Sequence, residues 1–197
     1  MRLLVVNMYK DIVEFKKFKK NILYGLQGSK VIFKKWDDVE GIKNTLANKK
    51  IRGIIISGSD YFVKKKESAI IDPCIISSNI PILAICYGFQ YLIYKLGKRS
   101  YIKSFTKGYM RYFMSFSIPR PFHIPKSKYL FIHKNYIVKA PKTFKVIKKF
   151  KNKIIIAYNC EKNMFGVQFH PEKNKDTSRA FFNMWINTCI LRNRNRK

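Results

Sequence analysis

The sequence predicts an α/β domain: an open, mostly parallel sheet with flanking helices, plus appended antiparallel strands. Three observations predict it. Over the first half, short apolar runs alternate with longer segments whose apolar residues recur at helical spacing. One run, Ile82-Leu83-Ala84-Ile85, ends abruptly at Cys86 and passes into a helix-compatible segment reaching Leu96. After Gly97 the texture changes to short aromatic and β-branched runs. Strand–helix alternation implies parallel strands joined by right-handed crossovers, and the later runs imply antiparallel strands added to the same sheet.

Taken in order, Leu3 to Asn7 reads as a buried strand. From Asp11 to Leu26, the residues Ile12, Phe15, Phe18, Ile22 and Leu23 follow helical spacing, and Gly25 and Gly28 mark the end. Val31-Ile32-Phe33 is a second strand, and Asp38 is placed to cap a helix to Ala47. Gly53 to Ser57 is a third strand, entering the loop Gly58-Ser59-Asp60. Glu67 to Ser77 reads as helical with Pro73 disturbing its middle, followed by a strand from Pro81 to Ile85. Tyr101 to Ser117, Tyr129 to Val138 and Phe144 to Tyr158 are the antiparallel runs, and Ile118 to Pro125 is a proline-punctuated loop. Met164 to Phe169 is a further apolar strand, and Thr177 to Leu191 closes the domain as a helix. Residues 1–191 therefore read as one domain and 192–197 as a basic tail.

A chain of 197 residues suits one such domain, with no room beside it for a second catalytic one. No apolar run approaches the roughly 20 residues a membrane span needs. The apolar start is too short for a secretory signal, so the expected location is the cytoplasm, with no membrane association. Cys74, Cys86, Cys160 and Cys189 are scattered, and no C-x-x-C pair or Cys/His cluster suggests a metal. Cys74, Cys160 and Cys189 read as plain thiols and His123 as a surface histidine. The charge is extreme, with Lys+Arg 41 against Asp+Glu 11 and a formal net charge of +30. A field of that size attracts polyanions. Lysines spread along the whole length beside abundant Ile and Asn, however, and no recognised nucleic-acid-binding motif accompanies them, so compositional drift is the favoured reading and nucleic acid the lesser one.

Two stretches carry chemistry. The first is the apolar run broken at Cys86, the shape of a strand turning sharply into a helix with a nucleophile at the corner. Such a corner is crowded, and Ala84 and Gly88 supply small neighbours. It also sets the sulfur near the positive end of a helix, which favours thiolate. The second is Met164-Phe165-Gly166-Val167-Gln168-Phe169-His170-Pro171-Glu172, a strand ending in a histidine and a carboxylate. A cysteine nucleophile needs a base within hydrogen-bond reach, and that base needs a third group to fix its orientation. His170 and Glu172 fit those roles, with Pro171 stiffening the chain between them.

Together these residues resemble the class I, triad-type glutamine amidotransferase domain, with its G-x-C-x-G-x-Q elbow and later G-V-Q-F-H-P-E strand end. The second motif is intact from Gly166 to Glu172, and the first reads Ala84-Ile85-Cys86-Tyr87-Gly88-Phe89-Gln90. The Cys-Tyr-Gly-x-Gln spelling is most similar to the glutaminase part of GMP synthases. The resemblance implies a flavodoxin-like architecture and hydrolysis of L-glutamine to glutamate and ammonia through a γ-glutamyl thioester on Cys86, with no cofactor. It implies oxyanion donors from the Tyr87 backbone and from the Gly58-Ser59 loop, where Ser59 replaces the family's second glycine and Asp60 its proline. A serine is restricted there if the donor conformation has positive φ, and losing one donor costs ~10²–10³ in rate. Gln90 is expected to shape the substrate pocket, against the alternative of an exposed helix polar residue. His133 is expected to line the pocket or a partner interface, since Ile132-His133-Lys134-Asn135 stands roughly where that group has Ser-His-Gly-Asp. The implied partner is a synthetase of the ATP-pyrophosphatase type. The other readings are a stand-alone γ-glutamyl hydrolase and a degenerate module that binds a partner or nucleic acid.

Overall fold

The computed structural model describes residues 1–191 except 64, 66, 107, 119 and 121, so the basic tail 192–197 and two prolines of the proline-punctuated loop lie outside the described residues. The first half alternates as the periodicity predicts: β1 (Arg2–Asn7), α1 (Ile12–Gly25), β2 (Lys30–Lys35), α2 (Val39–Ala47), β3 (Ile51–Ile56), a short α3 (Pro73–Ser77), β4 (Ile82–Ile85) and α4 (Tyr87–Leu96). Asp11 caps α1 by accepting from the Val13 N–H at 2.6 Å, and Asp38 caps α2 from Gly41 at 3.0 Å. Each such cap stabilises by about 1 kcal/mol. The second half is β5 (Ile102–Ser104), β6 (Met110–Ile118), β7 (Ile124–His133), β8 (Asn135–Ile137), β9 (Lys145–Phe150), β10 (Lys153–Asn159), β11 (Met164–Val167) and α5 (Lys175–Trp185), which runs into a π-helical turn at Ile186–Leu191.

The main sheet has the order β2-β1-β3-β4-β11-β10-β8-β5, with β9 also paired to β10. The pairs among β2, β1, β3, β4 and β11 are parallel. Those from β11 through β10 to β9, β8 and β5 are antiparallel. Strand residues alternate between two cores. Leu3, Val5, Ile55, Leu83 and Ile85 join one with Phe18, Phe181 and Trp185. Leu4, Val6, Ile54, Ile56, Ile82 and Ala84 join the other with Ile42, Leu92 and Ile93. Burial on both faces is why these strands read as continuous apolar runs instead of alternating ones. No helix of the described residues is long and apolar enough to cross a membrane.

Three expectations need correction. The helix expected over Glu67 to Ser77 begins only at Pro73, with Asp72 accepting from the Cys74 N–H at 2.8 Å. Proline sits comfortably in the first turn, where its missing N–H has no intrahelical partner to lose, so it starts this helix instead of disturbing it. The closing helix keeps α geometry only to Trp185 before it widens. The runs around Tyr101 to Ser117 and Tyr129 to Val138 do not all extend the main sheet, because β6 and β7 pair only with each other as a separate two-stranded sheet. Its aromatic face explains this. Phe116, Tyr129 and Phe131 lie 5.4, 4.4 and 5.8 Å from the Phe169 ring, so the hairpin packs its face against the core instead of pairing its edge. Among the described residues its backbone link to the strand end beyond β11 is a single antiparallel bridge, Leu130 to His170.

Candidate active site

Cys86 sits where β4 ends and α4 begins. Its φ of 49° and ψ of −102° lie outside helix and strand geometry. A non-glycine residue in that region costs about 1–3 kcal/mol and persists only where its surroundings over-determine it. Here the Cys86 N–H donates to the Val167 carbonyl at 2.7 Å, and its own carbonyl accepts from the Gln90 N–H at 3.0 Å. A Cβ on Gly88 would stand 2.9 Å from the Ile56 carbonyl oxygen, so the helix leaves the corner closely enough to require glycine there.

β4 and β11 are parallel neighbours with Ile85 opposite Val167, so the chains carrying Cys86 and His170 emerge side by side. A 3₁₀ turn at Pro171–Lys173 folds Glu172 back beneath the imidazole. His170 Nδ1 lies 2.8 Å from Glu172 Oε1, and both residues are buried. Burial disfavours the imidazolium, but the charges of Glu172 and then Cys86, with hydrogen bonds to both, outweigh it and lift His170 to about 10. The thiol and the imidazole also share a neighbour. The Ile132 carbonyl oxygen lies 3.4 Å from Cys86 Sγ and 3.4 Å from His170 Nε2. The structure thus brings Cys86, His170 and Glu172 together, under the backbone of β7.

The loop after β3 meets the same point. A Cβ on Gly58 would stand 2.8 Å from His170 Cε1 and 3.6 Å from Cys86 Cβ. Neither Gly58 nor Ser59 has a left-handed φ, so serine carries no backbone penalty at 59 in this conformation. Its hydroxyl anchors the loop instead, donating to the Met8 carbonyl at 2.7 Å and accepting from the Tyr61 N–H at 3.1 Å. Ser57 Oγ accepts from the Met8 N–H at 2.9 Å, and Asp60 Oδ1 from the Lys10 N–H at 3.1 Å. Tyr87, the first residue of α4, fixes its side chain by donating to the Ala69 carbonyl at 2.6 Å.

Gln90 is buried, which removes the exposed-polar alternative. Its Nε2 donates to the Asn135 carbonyl at 2.7 Å and to Gln168 Oε1 at 3.0 Å, and Gln168 Nε2 in turn points at Cys86 Sγ at 3.5 Å. His133 is buried and converges on the same carbonyl, with Nδ1 2.7 Å from Asn135 O. A carbonyl only accepts, so Nδ1 carries the hydrogen. Burial, opposed by that bond and reinforced by the charge on His170, pushes His133 down to about 4, so its ring is neutral. The Asn135 side chain is held as well, by the Val63 N–H at 3.3 Å and Ser104 Oγ at 2.6 Å. His123 is exposed, and Cys74, Cys160 and Cys189 are free thiols.

Sequence reasoning passed over four residues of the site. Gln168 could have been found as a polar residue inside an apolar strand run. Asn135 stood in a segment already singled out, but its role as a hub depends on contacts from three other parts of the chain, at Val63, Gln90 and Ser104. Ile132 contributes only a carbonyl, which no side-chain pattern encodes. Tyr9 is buried with its hydroxyl 3.2 Å from the same Gly58 Cβ position, and burial followed by the charges of Glu172 and Cys86 raises its phenol.

The family model for glutamine amidotransferase class-I matches residues 11–187. Among curated proteins, the glutamine-hydrolyzing GMP synthase of Wigglesworthia glossinidia brevipalpis is 30% identical over 157 residues, covering 74% of this chain and 30% of that protein. That of Lactobacillus gasseri is 38% identical over 126 residues, covering 61% of this chain and 24% of that protein. The chain thus spans less than a third of the length of these relatives. A Thermoplasma acidophilum protein assigned to GMP synthase, as one of its subunits, superposes with a TM-score of 0.69 at 18% identity, covering 100% of this chain and 98% of that one. A chain of the PurLQS structure from Thermotoga maritima gives 0.66 at 17% identity, covering 94% and 97%. At these identities the two structures speak for the fold alone.

Proposed function

The chain belongs to the class I glutamine amidotransferase family, related to the glutaminase of GMP synthases, and we propose that it hydrolyses L-glutamine through Cys86, His170 and Glu172 and passes the ammonia to a synthetase partner. The observation that carries this reading is the buried His170–Glu172 pair beside the thiol of a strained elbow. With His170 lifted to about 10, the imidazole holds its proton at neutral pH and can give it to a leaving nitrogen once Cys86 attacks as the thiolate.

Cys86 Sγ attacks the side-chain amide carbon of glutamine. The amide oxygen takes the electron pair, and the Tyr87 and Gly58-Ser59 backbone N–H groups serve as its donors. His170 gives its proton to the departing nitrogen, ammonia leaves, and a γ-glutamyl thioester remains. Water then loses a proton to His170 as it adds to the thioester, and collapse expels the sulfur and releases glutamate. Glu172 holds the Nδ1 hydrogen throughout and steadies the charged ring. Gln90 sets Gln168 beside the sulfur, and Gln90 and His133 together fix the carbonyl of Asn135 that borders the pocket. The Ile132 carbonyl stands 3.4 Å from both the sulfur and the imidazole, so a substrate amide that reaches Cys86 displaces it and the edge of β7 withdraws as glutamine enters.

The synthetase partner is proposed from the relatives. Those named as whole GMP synthases are more than three times as long as the stretch matched here, so their acceptor chemistry has no counterpart within these 197 residues. A synthetase of ATP-pyrophosphatase type would supply it. Ammonia release would be measured for the chain alone, with such a synthetase, and with the synthetase plus its nucleotide substrates. A rise on assembly, lost in Cys86→Ala, is the expected result. Full turnover without any partner would mark a stand-alone γ-glutamyl hydrolase. No turnover in any mixture, with salt-sensitive nucleic-acid affinity that survives Cys86→Ala, would mark a binding module.

A further inference from the structure

A second concavity opens at the opposite end of the sheet. Arg2 and Lys30 are the first residues of β1 and β2, and Lys50 and Arg52 flank the first residue of β3. These four, with Ile190 and Leu191 from the π-helical turn, line a cleft of about 610 Å³. Cys86 follows the other end of β4, so this cleft is separate from the thiol.

The cleft gathers charge without neutralising it. Four lysines of the chain do sit beside acids, in Lys17–Glu14, Lys34–Asp38, Lys35–Asp37 and Lys43–Glu40. Among the described residues no carboxylate lines the cleft, and none of its four head groups pairs with one. Arg2 stands directly opposite Lys30 in the parallel ladder, and like charges at opposed positions work against the sheet. Arg52 occupies a register shift: pairing passes from Arg2↔Ile51 to Leu3↔Gly53 and skips it. A bulge of that kind turns a side chain away from where a regular strand would point it. Two local features therefore concentrate cations at one place, at some cost to the sheet.

We infer that this cleft binds a polyphosphate-bearing small molecule. Arginine and lysine heads around one hollow match linear phosphates, with Arg2 and Arg52 able to fork onto neighbouring oxygens. The volume falls in the range of small-ligand pockets, roughly 300–1,000 Å³. Ile190 and Leu191 give one apolar wall, against which a nucleobase can lie.

The test is calorimetric titration of the full chain with inorganic tripolyphosphate and, separately, with ATP. Arg52→Gln with Lys50→Gln should weaken tripolyphosphate binding about tenfold or more, since each charge-assisted phosphate contact is worth roughly that. Lys16→Gln with Lys20→Gln, exposed on α1, removes the same charge elsewhere and should leave binding within about twofold. Both pairs should retain the unfolding midpoint of the parent chain. ATP binding tighter than tripolyphosphate would identify a nucleoside polyphosphate as the ligand, and equal binding an inorganic one. Equal weakening by the two variant pairs would reduce the cleft to general charge attraction and overturn the inference. So would the absence of binding to the parent chain at millimolar ligand.

Discussion

The parallel half of the sheet and the β6–β7 hairpin serve the same site in different ways. β4 and β11 are neighbours in register, so a nucleophile and a base placed just past their ends meet by construction. Those positions are further fixed by the Ile56 carbonyl pressed against Gly88 and by the Cys86 N–H donated to Val167. The hairpin contributes no member of the Cys-His-Glu set. It lays the Ile132 carbonyl over the thiol and imidazole, and joins the strand carrying His170 by one bridge. The proposed chemistry therefore rests on the stiff half, while the carbonyl that covers the thiol belongs to a part with far less backbone connection to it. An element held mainly by side-chain packing opens at lower free energy than one held by ladders on both edges.

The largest expected effect lies in the stiff half. Cys86→Ala should remove glutaminase activity by a factor on the order of 10⁴ or more, measured as glutamate release, with the unfolding midpoint retained. Glu172→Gln should cost about 10²–10⁴ in rate by leaving the ring unsteadied. It also carries a pH signature. His170 rises from an ordinary 6.5 to about 10 in the folded chain, so its contribution to stability is complete below about pH 6.5 and fades as pH climbs through about 10. Urea denaturation across pH 6 to 10 should show a steeper decline for the parent chain than for Glu172→Gln.

Gly88→Ala should destabilise the fold by about 1–3 kcal/mol, read from urea midpoints, because the added methyl meets backbone. A loss below about 0.5 kcal/mol would mean the corner is not as tight as drawn. The hairpin has its own test. Tyr112 stacks on Phe131 across the hairpin at 4.9 Å and 3°, with its hydroxyl 3.4 Å from His133 Nε2, and Tyr112→Ala loosens the hairpin while keeping Cys86, His170 and Glu172 themselves. Iodoacetamide should then alkylate Cys86 several-fold faster than in the parent chain, while the exposed Cys160 reacts at its former rate. An unchanged rate at Cys86 would assign occlusion to some element other than β7. The smallest effect belongs to Ser59→Gly. The serine has no left-handed φ to relieve and two anchoring bonds to lose, both outside the Cys-His-Glu set, so glutamine turnover should fall by less than about tenfold.

The same contrast explains what the sequence could say. β1, β3 and β4 were legible because burial on both faces leaves continuous Ile/Leu/Val runs, and Cys86 and His170 were legible because each interrupts such a run at its end. Asp38 was legible as a cap because a short carboxylate stands just ahead of a helical segment. The hairpin's strands were visible as aromatic runs, but not its separation from the main sheet, since whether an edge pairs or a face packs depends on Phe169 and Phe181 far along the chain. The start of α3 was misread because proline ends helices and also begins them, and the side chain of Asp72 decides which. The Asn135 hub and the Ile132 carbonyl work through backbone atoms, which carry no residue signature. The cation cleft was diluted by 41 basic residues spread along the chain, and only the sheet brings its four together.

The most direct measurement is covalent labelling of the purified chain by an electrophilic glutamine analogue, read by intact mass and peptide mapping. One adduct per chain on Cys86, blocked by excess glutamine and lost in His170→Ala, is the expected result. A folded chain that takes no adduct on Cys86, even in Tyr112→Ala and with its synthetase present, would contradict a working glutamine site at this elbow.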